Sequence, residues 1–175
     1  MSEFHRMIPP SPWVEAYAPL IPKSRPVLDL ACGSGRHSRL LAALGYPVLA
    51  VDRDAEALSA LSAVPGVTTE CMDLEGADWP LAGRLFSGVL VTNYLWRARL
   101  PDLLALLEAG GVLIYETFMR GHEAYGKPSN PDFLLQPGEL RATVNSPGWR
   151  ELAFFEGLTV QPAPAMRQAI CAVRV

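Results

Sequence analysis

An apolar run that ends in a glycine-rich turn is the most constraining feature of this sequence. Residues 27–37 read VLDLACGSGRH, and the leucines at 40, 41 and 44 that follow are spaced as on one side of a helix. The pattern predicts a strand, a tight turn and a helix. Gly33 and Gly35 allow the backbone to approach a ligand closely, and the helix start behind them offers N–H groups, so the unit is typical of a nucleotide site.

Three predicted strands in succession finish with a carboxylate, namely Asp29, Asp52 and Asp73. The second strand covers residues 47–52 and is followed by a helix that Asp54 can cap. Connections of this length that contain helices imply parallel strands, and the carboxyl ends of parallel strands meet at one edge of the sheet. We therefore expect all three carboxylates to face a ligand at that edge.

The alternation of strand and helix continues over the next forty residues or so. A fourth strand over 86–92 leads to Asn93 and Tyr94, and a helix over 101–107 ends at the glycine pair that follows it. A fifth strand is predicted over 112–115. Up to this point the pattern indicates an open parallel sheet with helices on both faces.

The C-terminal part of the chain has a different pattern. Residues 118–137 are too long and too rich in Gly, Pro and Asn for a simple connector, which favours a substrate-side binding loop. A short helix is predicted around 138–144. Two β-type stretches, at about 150–156 and 166–174, then predict an antiparallel hairpin.

The first 26 residues form an N-terminal arm that is rich in proline and holds apolar anchors such as Phe4 and Trp13. The prolines leave room for one short helix, at about 12–18. One interpretation is an arm packed on the domain. The alternative is a lid whose Trp13 and Tyr17 help to close the site.

Composition limits the classes of function. A chain of 175 residues, half of them hydrophobic, is expected to form a single domain over 1–175. Its net charge of −3 and pI near 5.6 argue against a nucleic-acid partner. Three cysteines without CxxC spacing favour a reducing, cytoplasmic setting, and the absence of a signal sequence or a long apolar run argues against a membrane.

Five motifs in order along the chain resemble those of class I S-adenosylmethionine-dependent methyltransferases. They read VLDLACGSGRHSRLLA, VLAVDRD, CMDLEGADW, VLVTNYLWR and LEAGGVLIYETF, within residues 27–118. The small bacterial members, including those similar to tellurite-resistance methyltransferases, are the most alike. The resemblance implies an α/β, three-layer Rossmann-like methyltransferase fold, whose mostly parallel seven-stranded sheet ends in an antiparallel C-terminal hairpin.

The resemblance also implies S-adenosyl-L-methionine as the cofactor, with S-adenosyl-L-homocysteine as its product. The implied binding residues lie at four strand exits. The methionine end would be held by Asp29 and by the loop of Ala31, Cys32, Gly33 and Gly35, and both ribose hydroxyls by Asp52. Adenine would contact Arg53, Asp73 and the backbone of Leu74, and Asn93 and Tyr94 would lie beside the methyl group. A carboxylate suits a ribose diol because its two acceptor oxygens meet two hydroxyl donors.

Two other functions compete with methyl transfer. A nicotinamide dehydrogenase would carry the fingerprint G-x-G-x-x-G, but the third glycine is replaced by Ser38, and Asp29 would repel a pyrophosphate. A catalytically inactive domain that binds or senses S-adenosylmethionine is the second alternative.

In-line methyl transfer needs orientation and desolvation more than a general base. If a base is used, the candidates by position are Tyr94, Glu116, His122 and Tyr125. His37 is expected to be a solvated or helix-packing residue, and no metal-ligand set is visible. With an acidic composition and no further domain, the predicted partner is a small-molecule methyl acceptor, and the protein is expected to be a monomer or homodimer.

Overall fold

The computed structural model describes residues 8–175. The first seven residues of the predicted arm, with the anchor Phe4, lie outside the described residues. Within residues 8–175, no helix is both long enough and apolar enough to cross a membrane.

One seven-stranded sheet organises the chain, with strand order β3-β2-β1-β4-β5-β7-β6. The strands are β1 Val27–Leu30, β2 Val48–Asp52, β3 Val67–Cys71, β4 Phe86–Thr92, β5 Leu107–Phe118, β6 Trp149–Thr159 and β7 Ala165–Arg174. The first five pair in parallel, whereas β7 runs antiparallel to both β5 and β6. The predicted sheet and its C-terminal hairpin are confirmed.

Helices cover both faces of the sheet because successive strand residues point to opposite sides. They are α1 Pro12–Tyr17, α2 Arg36–Ala43, α3 Ala55–Ser59, α4 Leu100–Leu104 and α5 Glu139–Thr143. Leu28 of β1 belongs to a core cluster with Leu140 of α5, and its neighbour Val27 belongs to a second cluster with Val14 of α1 and Leu41 of α2. The predicted three-layer architecture is therefore present.

The region after α4 differs from the prediction. A helix was expected over 101–107 and a strand only from residue 112, but α4 ends at Leu104 and β5 already begins at Leu107. Leu107 is buried and pairs with Phe86, and the next regular pair joins Val112 to Gly88. The intervening residues bulge out of the ladder, which Gly110 permits with its φ of 82°. Burial of Leu107 thus outweighs the local helical pattern.

The arm packs on the sheet face that α1 and α2 cover. Ile21 is buried against Gly88, where a Cβ would come within 2.8 Å of its side chain. The hydroxyl of Tyr46 lies within hydrogen-bond distance of the carbonyls of Ala18 and Ile21, at 3.0 and 2.9 Å. The Trp13 indole donates to the Ile170 carbonyl on β7 at 3.3 Å. These contacts fix residues 11–21 along the sheet.

Candidate functional site

Two backbone turns shape the edge of the sheet where β1 and β4 end. Ala31 follows β1 and Asn93 follows β4, and each has a positive φ of 54°. Residues with a Cβ seldom adopt this conformation, and they do so mainly where the surrounding structure holds them, commonly at functional sites. Because β1 and β4 are adjacent, the two turns lie side by side, and both residues line the same cavity.

Asp52, the last residue of β2, holds the glycine-rich loop in place. Its Oδ2 accepts a hydrogen bond from the backbone N–H of Gly33 at 2.8 Å, and its Oδ1 accepts one from the N–H of Asp54 at 3.0 Å. Each carboxylate oxygen has more than one lone pair. Asp52 can therefore accept further hydrogen bonds from a ligand without releasing the loop.

Gly35, which precedes α2, has no room for a side chain. Its φ is 80°, and a Cβ would lie 2.4 Å from the Cδ atoms of the fully buried Leu61. Gly33 is also left-handed, with a φ of 55°, but a Cβ there would meet nothing within 4 Å. We expect Gly35→Ala to lower the free energy of unfolding by about 1–3 kcal/mol more than Gly33→Ala, because only Gly35→Ala overpacks the core. Urea unfolding of both variants measures the difference, and equal losses would contradict it.

A cavity of about 430 Å³ opens at this edge of the sheet. Seven of the predicted cofactor residues line it: Ala31, Asp52, Arg53, Asp73, Leu74, Asn93 and Tyr94. Three further lining residues, Met72, Glu75 and Phe133, were not predicted. The size is within the range of pockets that enclose small ligands. The carboxylate at the end of β2 and the one two residues after β3 thus share one cavity with the turns after β1 and β4.

Tyr94 supplies a hydroxyl that no residue in the described part of the chain satisfies. The oxygen is buried and has no hydrogen-bond partner, and the backbone carbonyl of the same residue accepts the Tyr115 hydroxyl at 2.8 Å. Burial, and next the Glu75 carboxylate, raise the pKa of the Tyr94 hydroxyl. It therefore stays protonated at neutral pH, which makes it a hydrogen-bond donor for a ligand and a poor general base.

Asp29 lies apart from the other two carboxylates. It lies within β1, where its partner in the register with β2 is Ala50 rather than Asp52, and it is 1% exposed. Its Oδ2 accepts the Ser38 hydroxyl at 2.6 Å. Burial raises the pKa of this carboxyl to about 7, although the Ser38 contacts oppose the rise. Of the three carboxylates expected to face a ligand, Asp52 and Asp73 line the cavity, whereas Asp29 is enclosed and does not.

The loop over 118–137 is ordered and reaches the cavity through Phe133. Leu135 donates its N–H to the Phe118 carbonyl at 3.0 Å and closes the base of the loop. Arg97 holds the other side: its guanidinium donates to the carbonyls of Asp132 and Leu134, both at 2.7 Å, and pairs with Glu139 at 2.6 Å. The bonds to Asp132 and Leu134 fix the residue between these two, Phe133, at the cavity wall.

We expect Arg97→Ala to loosen this loop. Two backbone carbonyls and the Glu139 carboxylate lose their partner, so the Leu135 amide should exchange with solvent about tenfold faster, as loss of one hydrogen bond of roughly 1.4 kcal/mol predicts. Amide hydrogen exchange measures the effect. Arg25→Ala is the control because it removes another arginine–glutamate pair, with Glu108, that belongs neither to the loop nor to α5, and it should leave the exchange of Leu135 unchanged. Equal exchange in both variants would contradict the role of Arg97.

A second cavity, of about 270 Å³, lies between the arm and β7. Pro9–Pro12 and Glu15 line it on the arm side, with Arg36, Glu116, Gln161, Pro162 and Arg167 opposite. The Glu116 carboxylate accepts the Ser11 hydroxyl. Arg167 donates to Asn93 Oδ1 at 2.6 Å, and Asn93 lines the first cavity, so the two cavities meet at this pair.

His37 fastens the arm beside the second cavity. It is 2% exposed, and its Nε2 accepts the backbone N–H of Ser11 at 3.0 Å, while Nδ1 lies 3.3 Å from the Thr92 hydroxyl. Burial, and next the charge of Arg36, lower the pKa of His37 to about 3. The imidazole is therefore neutral and structural. Trp13 and Tyr17, which a lid was predicted to use, line neither cavity, whereas residues 9–12 of the arm line the second one.

The remaining candidates for a general base lie outside the first cavity. His122 is buried, stacks on Phe118 with a centroid separation of 4.2 Å, and holds the Lys127 carbonyl 3.0 Å from Nε2. Tyr125 is half exposed, and Glu116 faces the second cavity. Cys32 lies in the glycine-rich loop, and burial raises the pKa of its thiol, which makes it a poor nucleophile.

The sequence held weak signals for the residues that prediction missed. Arg36 directly follows the second loop glycine, at the start of α2. Arg167 is the only charged residue between Ala165 and Val173 in an otherwise mostly apolar strand. Phe133 belongs to the apolar triplet Phe133-Leu134-Leu135 within a polar loop. Each stands out against its local pattern, but only the fold brings them together.

Comparison with known proteins agrees with this geometry. Residues 27–111 match the model of a family described as a methyltransferase domain. Similar solved structures include TehB from Haemophilus influenzae, with a TM-score of 0.74 and 20% identity over 93% of this chain and 61% of that chain. The glycopeptide N-methyltransferase MtfA, complexed with (S)-adenosyl-L-homocysteine, has a TM-score of 0.64 and 20% identity, covering 93% of this chain and 88% of that one. An S-adenosylmethionine-dependent methyltransferase from Mesorhizobium loti has a TM-score of 0.67 and 18% identity, covering 91% and 96%.

The chain thus spans about 61% of the length of TehB. No curated protein matches the sequence. Together these matches show the fold of a methyltransferase domain and confirm the predicted resemblance to class I S-adenosylmethionine-dependent methyltransferases. The predicted enzyme class, a methyltransferase, and the predicted cofactor, S-adenosylmethionine, agree with these matches.

Proposed function

We propose that this protein transfers a methyl group from S-adenosylmethionine to a small-molecule acceptor. The observation that carries the proposal is the shared cavity, in which Asp52 at the end of β2 and Asp73 just after the neighbouring parallel strand β3 lie beside the Ala31 and Asn93 turns. When bound, the cofactor would supply a methyl group on a positively charged sulfonium sulfur; a lone pair of the acceptor would displace the sulfur in line, and S-adenosylhomocysteine, a neutral thioether, would be the leaving group. The residues of this chain bind, orient and exclude water.

The lining residues fit the parts of such a cofactor. The Asp52 oxygens, each already used once by backbone, have lone pairs left for the two ribose hydroxyls. Asp73 Oδ1 accepts the N–H of Glu75 at 2.9 Å, which leaves Oδ2 for the adenine amino group. Met72 and Leu74 offer apolar surface to the adenine ring on the same side of the cavity. The unsatisfied Tyr94 hydroxyl is a donor held near the strand-β4 exit.

Two charged residues would interact with the methionine end, one by contact and one through its charge. Arg36 begins α2 immediately after the glycine-rich loop, and its guanidinium spends one donor on the Pro9 carbonyl at 3.0 Å. Its remaining donors suit the cofactor carboxylate. Asp29 is enclosed, so it acts on the cofactor ammonium through its charge rather than by contact. A general base is not required if the acceptor atom is already a good nucleophile.

Calorimetry with S-adenosylhomocysteine, S-adenosylmethionine and NAD in parallel tests the proposed cofactor. We expect binding of both adenosylated amino acids and none of NAD. Binding of NAD alone would overturn the proposal. Turnover of labelled cofactor across thiols, metalloid oxyanions and phenols then separates an enzyme from a domain that only senses the cofactor. The proposed setting is the cytoplasm, since all three cysteines are free.

A further inference from the structure

The Arg167 guanidinium forms no ion pair within residues 8–175, although the Glu116 carboxylate, which accepts the Ser11 hydroxyl, lines the same cavity. The one side-chain hydrogen bond of Arg167 within residues 8–175 goes to Asn93 Oδ1. Neither Arg167 nor Arg36 takes part in the ion pairs formed among those residues, which join Arg25 to Glu108, Arg84 to Glu70, Arg97 to Glu139, Arg99 to Asp102 and Arg141 to Glu151. An arginine has five N–H donors, so most of the Arg167 fork is available to a ligand.

The surroundings of Arg167 hold the fork in a fixed orientation. Its Cζ lies 4.2 Å from the centroid of the Phe118 ring, and Asn93 restrains one terminal nitrogen. On β6 the residue paired with Arg167 is Gly157, which has no side chain to cover it. The guanidinium plane thus lies against the Phe118 ring, has one hydrogen bond to Asn93 and is uncovered on the Gly157 side. Such a planar cation is suited to bidentate recognition of a carboxylate or oxyanion.

Position separates Arg167 from Arg36. Both line the second cavity, but Arg36 adjoins the glycine-rich loop and thus the proposed cofactor, whereas Arg167 lies on β7, two strands beyond β4. Its contact with Asn93 nevertheless puts it at the border of the cofactor cavity. Burial lowers the pKa of Arg167; the Glu116 carboxylate opposes this shift, and the weaker effect of the neighbouring Arg36 charge adds to the lowering. A bound anion would relieve both costs.

We propose that the second cavity is the acceptor site and that Arg167 binds a carboxylate or oxyanion of the acceptor, separate from the atom that is methylated. The inference rests on the proposed methyltransferase function. It names the acceptor class as a small anionic molecule that enters between Pro9–Pro12 and β7. In the transfer, the acceptor lone pair forms the new bond to carbon, the sulfonium–methyl bond breaks with its electron pair on sulfur, and any displaced proton goes to water.

The experiment begins with a metabolite extract and S-adenosylmethionine labelled in its methyl group. We expect labelled product that is retained on an anion-exchange column at pH 8. Loss of retention after phosphatase treatment would mark the anion as a phosphate ester, and persistence would mark a carboxylate or another oxyanion. A labelled product that is not retained would overturn the anionic acceptor. Absence of any labelled product would overturn the proposed function itself, and the inference with it.

Variants of Arg167 then test its role with that acceptor. We expect Arg167→Gln to raise the acceptor KM about 10- to 100-fold, because hydrogen bonds between charged groups are lost. The Kd of S-adenosylhomocysteine should change less than about twofold. Arg167→Lys should recover part of the loss. Arg150→Gln, which removes an exposed charge at the far end of β6, is the control and should change neither value. If Arg167→Gln weakens S-adenosylhomocysteine binding as much as acceptor binding, Arg167 belongs to the cofactor site and the inference fails.

Discussion

Replacement of Asp29 by asparagine is expected to stabilise the free protein at pH 8 by up to about 4 kcal/mol. In the folded protein, burial raises the pKa of this carboxyl from its ordinary value of 3.8 to about 7. That difference corresponds to about 4 kcal/mol once the group is ionised in both states. Asparagine carries no charge and can still accept the Ser38 hydroxyl with its side-chain oxygen.

The sign of the pH dependence follows from the raised pKa. The folded state holds the Asp29 proton more tightly than the unfolded chain, so this group favours folding fully below about pH 4. The contribution is lost as the pH rises through 7. The difference in stability between Asp29→Asn and the original protein should therefore widen by about 2–3 kcal/mol from pH 5 to pH 8. His37 titrates in both proteins and cancels in the comparison.

Urea unfolding at several pH values between 5 and 8 measures this difference. Asp78→Asn is the control, since Asp78 is exposed and its substitution should leave the pH profile unchanged. If the unfolding free energy of Asp29→Asn instead changed with pH in parallel with that of the original protein, Asp29 would not carry an unfavourable buried charge. Calorimetry adds a second readout: Asp29→Asn should weaken S-adenosylhomocysteine but not 5′-methylthioadenosine, which lacks the ammonium that the carboxylate attracts.

Asp52→Ala is expected to weaken S-adenosylhomocysteine binding by about 2–4 kcal/mol, or roughly 30- to 1000-fold in Kd. The substitution removes two acceptors for the ribose hydroxyls. It also releases the Gly33 N–H, which Asp52 holds at 2.8 Å, so the glycine-rich loop loses part of its support. Calorimetry on the purified variant measures the loss directly.

Asp54→Ala is the matched control for Asp52. Asp54 is also a carboxylate after β2, but its side chain caps α3 by accepting the N–H groups of Glu56 and Ala57 at 3.0 and 3.1 Å. Its removal should cost about 1 kcal/mol of folding stability and leave cofactor affinity unchanged. Equal affinity for the cofactor in the original protein and in Asp52→Ala would mean that the ribose lies elsewhere.

The parts of the fold that local sequence predicts are those with a strong period. Buried strands such as β1, β2 and β4 are short apolar runs with turn signals at each end, and the Asp54 cap and the α1 start at Pro12 follow from residue chemistry. Leu107 shows where this reasoning stops. Its leucine-rich context favours helix, but pairing with Phe86 across the sheet decides its conformation.

Site residues divide in the same way. Asp52 and Asp73 were predictable because a strand end places them at the sheet edge whatever surrounds them. Asp29 is enclosed by tertiary packing that includes Ser38, and His37 is neutral because of its burial and the Arg36 charge, with Nε2 accepting the N–H of Ser11, 26 residues away in the chain. Arg167 reaches the second cavity only because β7 inserts between β5 and β6. Such contacts arise from tertiary packing and leave no period in the sequence.

A crystal structure of the protein with S-adenosylhomocysteine tests the central claim most directly. We predict that the nucleoside occupies the cavity of about 430 Å³, with both ribose hydroxyls hydrogen-bonded to Asp52 and the adenine beside Met72, Asp73 and Leu74. A nucleoside bound at another place, with Asp52 keeping only its contacts to Gly33 and Asp54, would contradict the account.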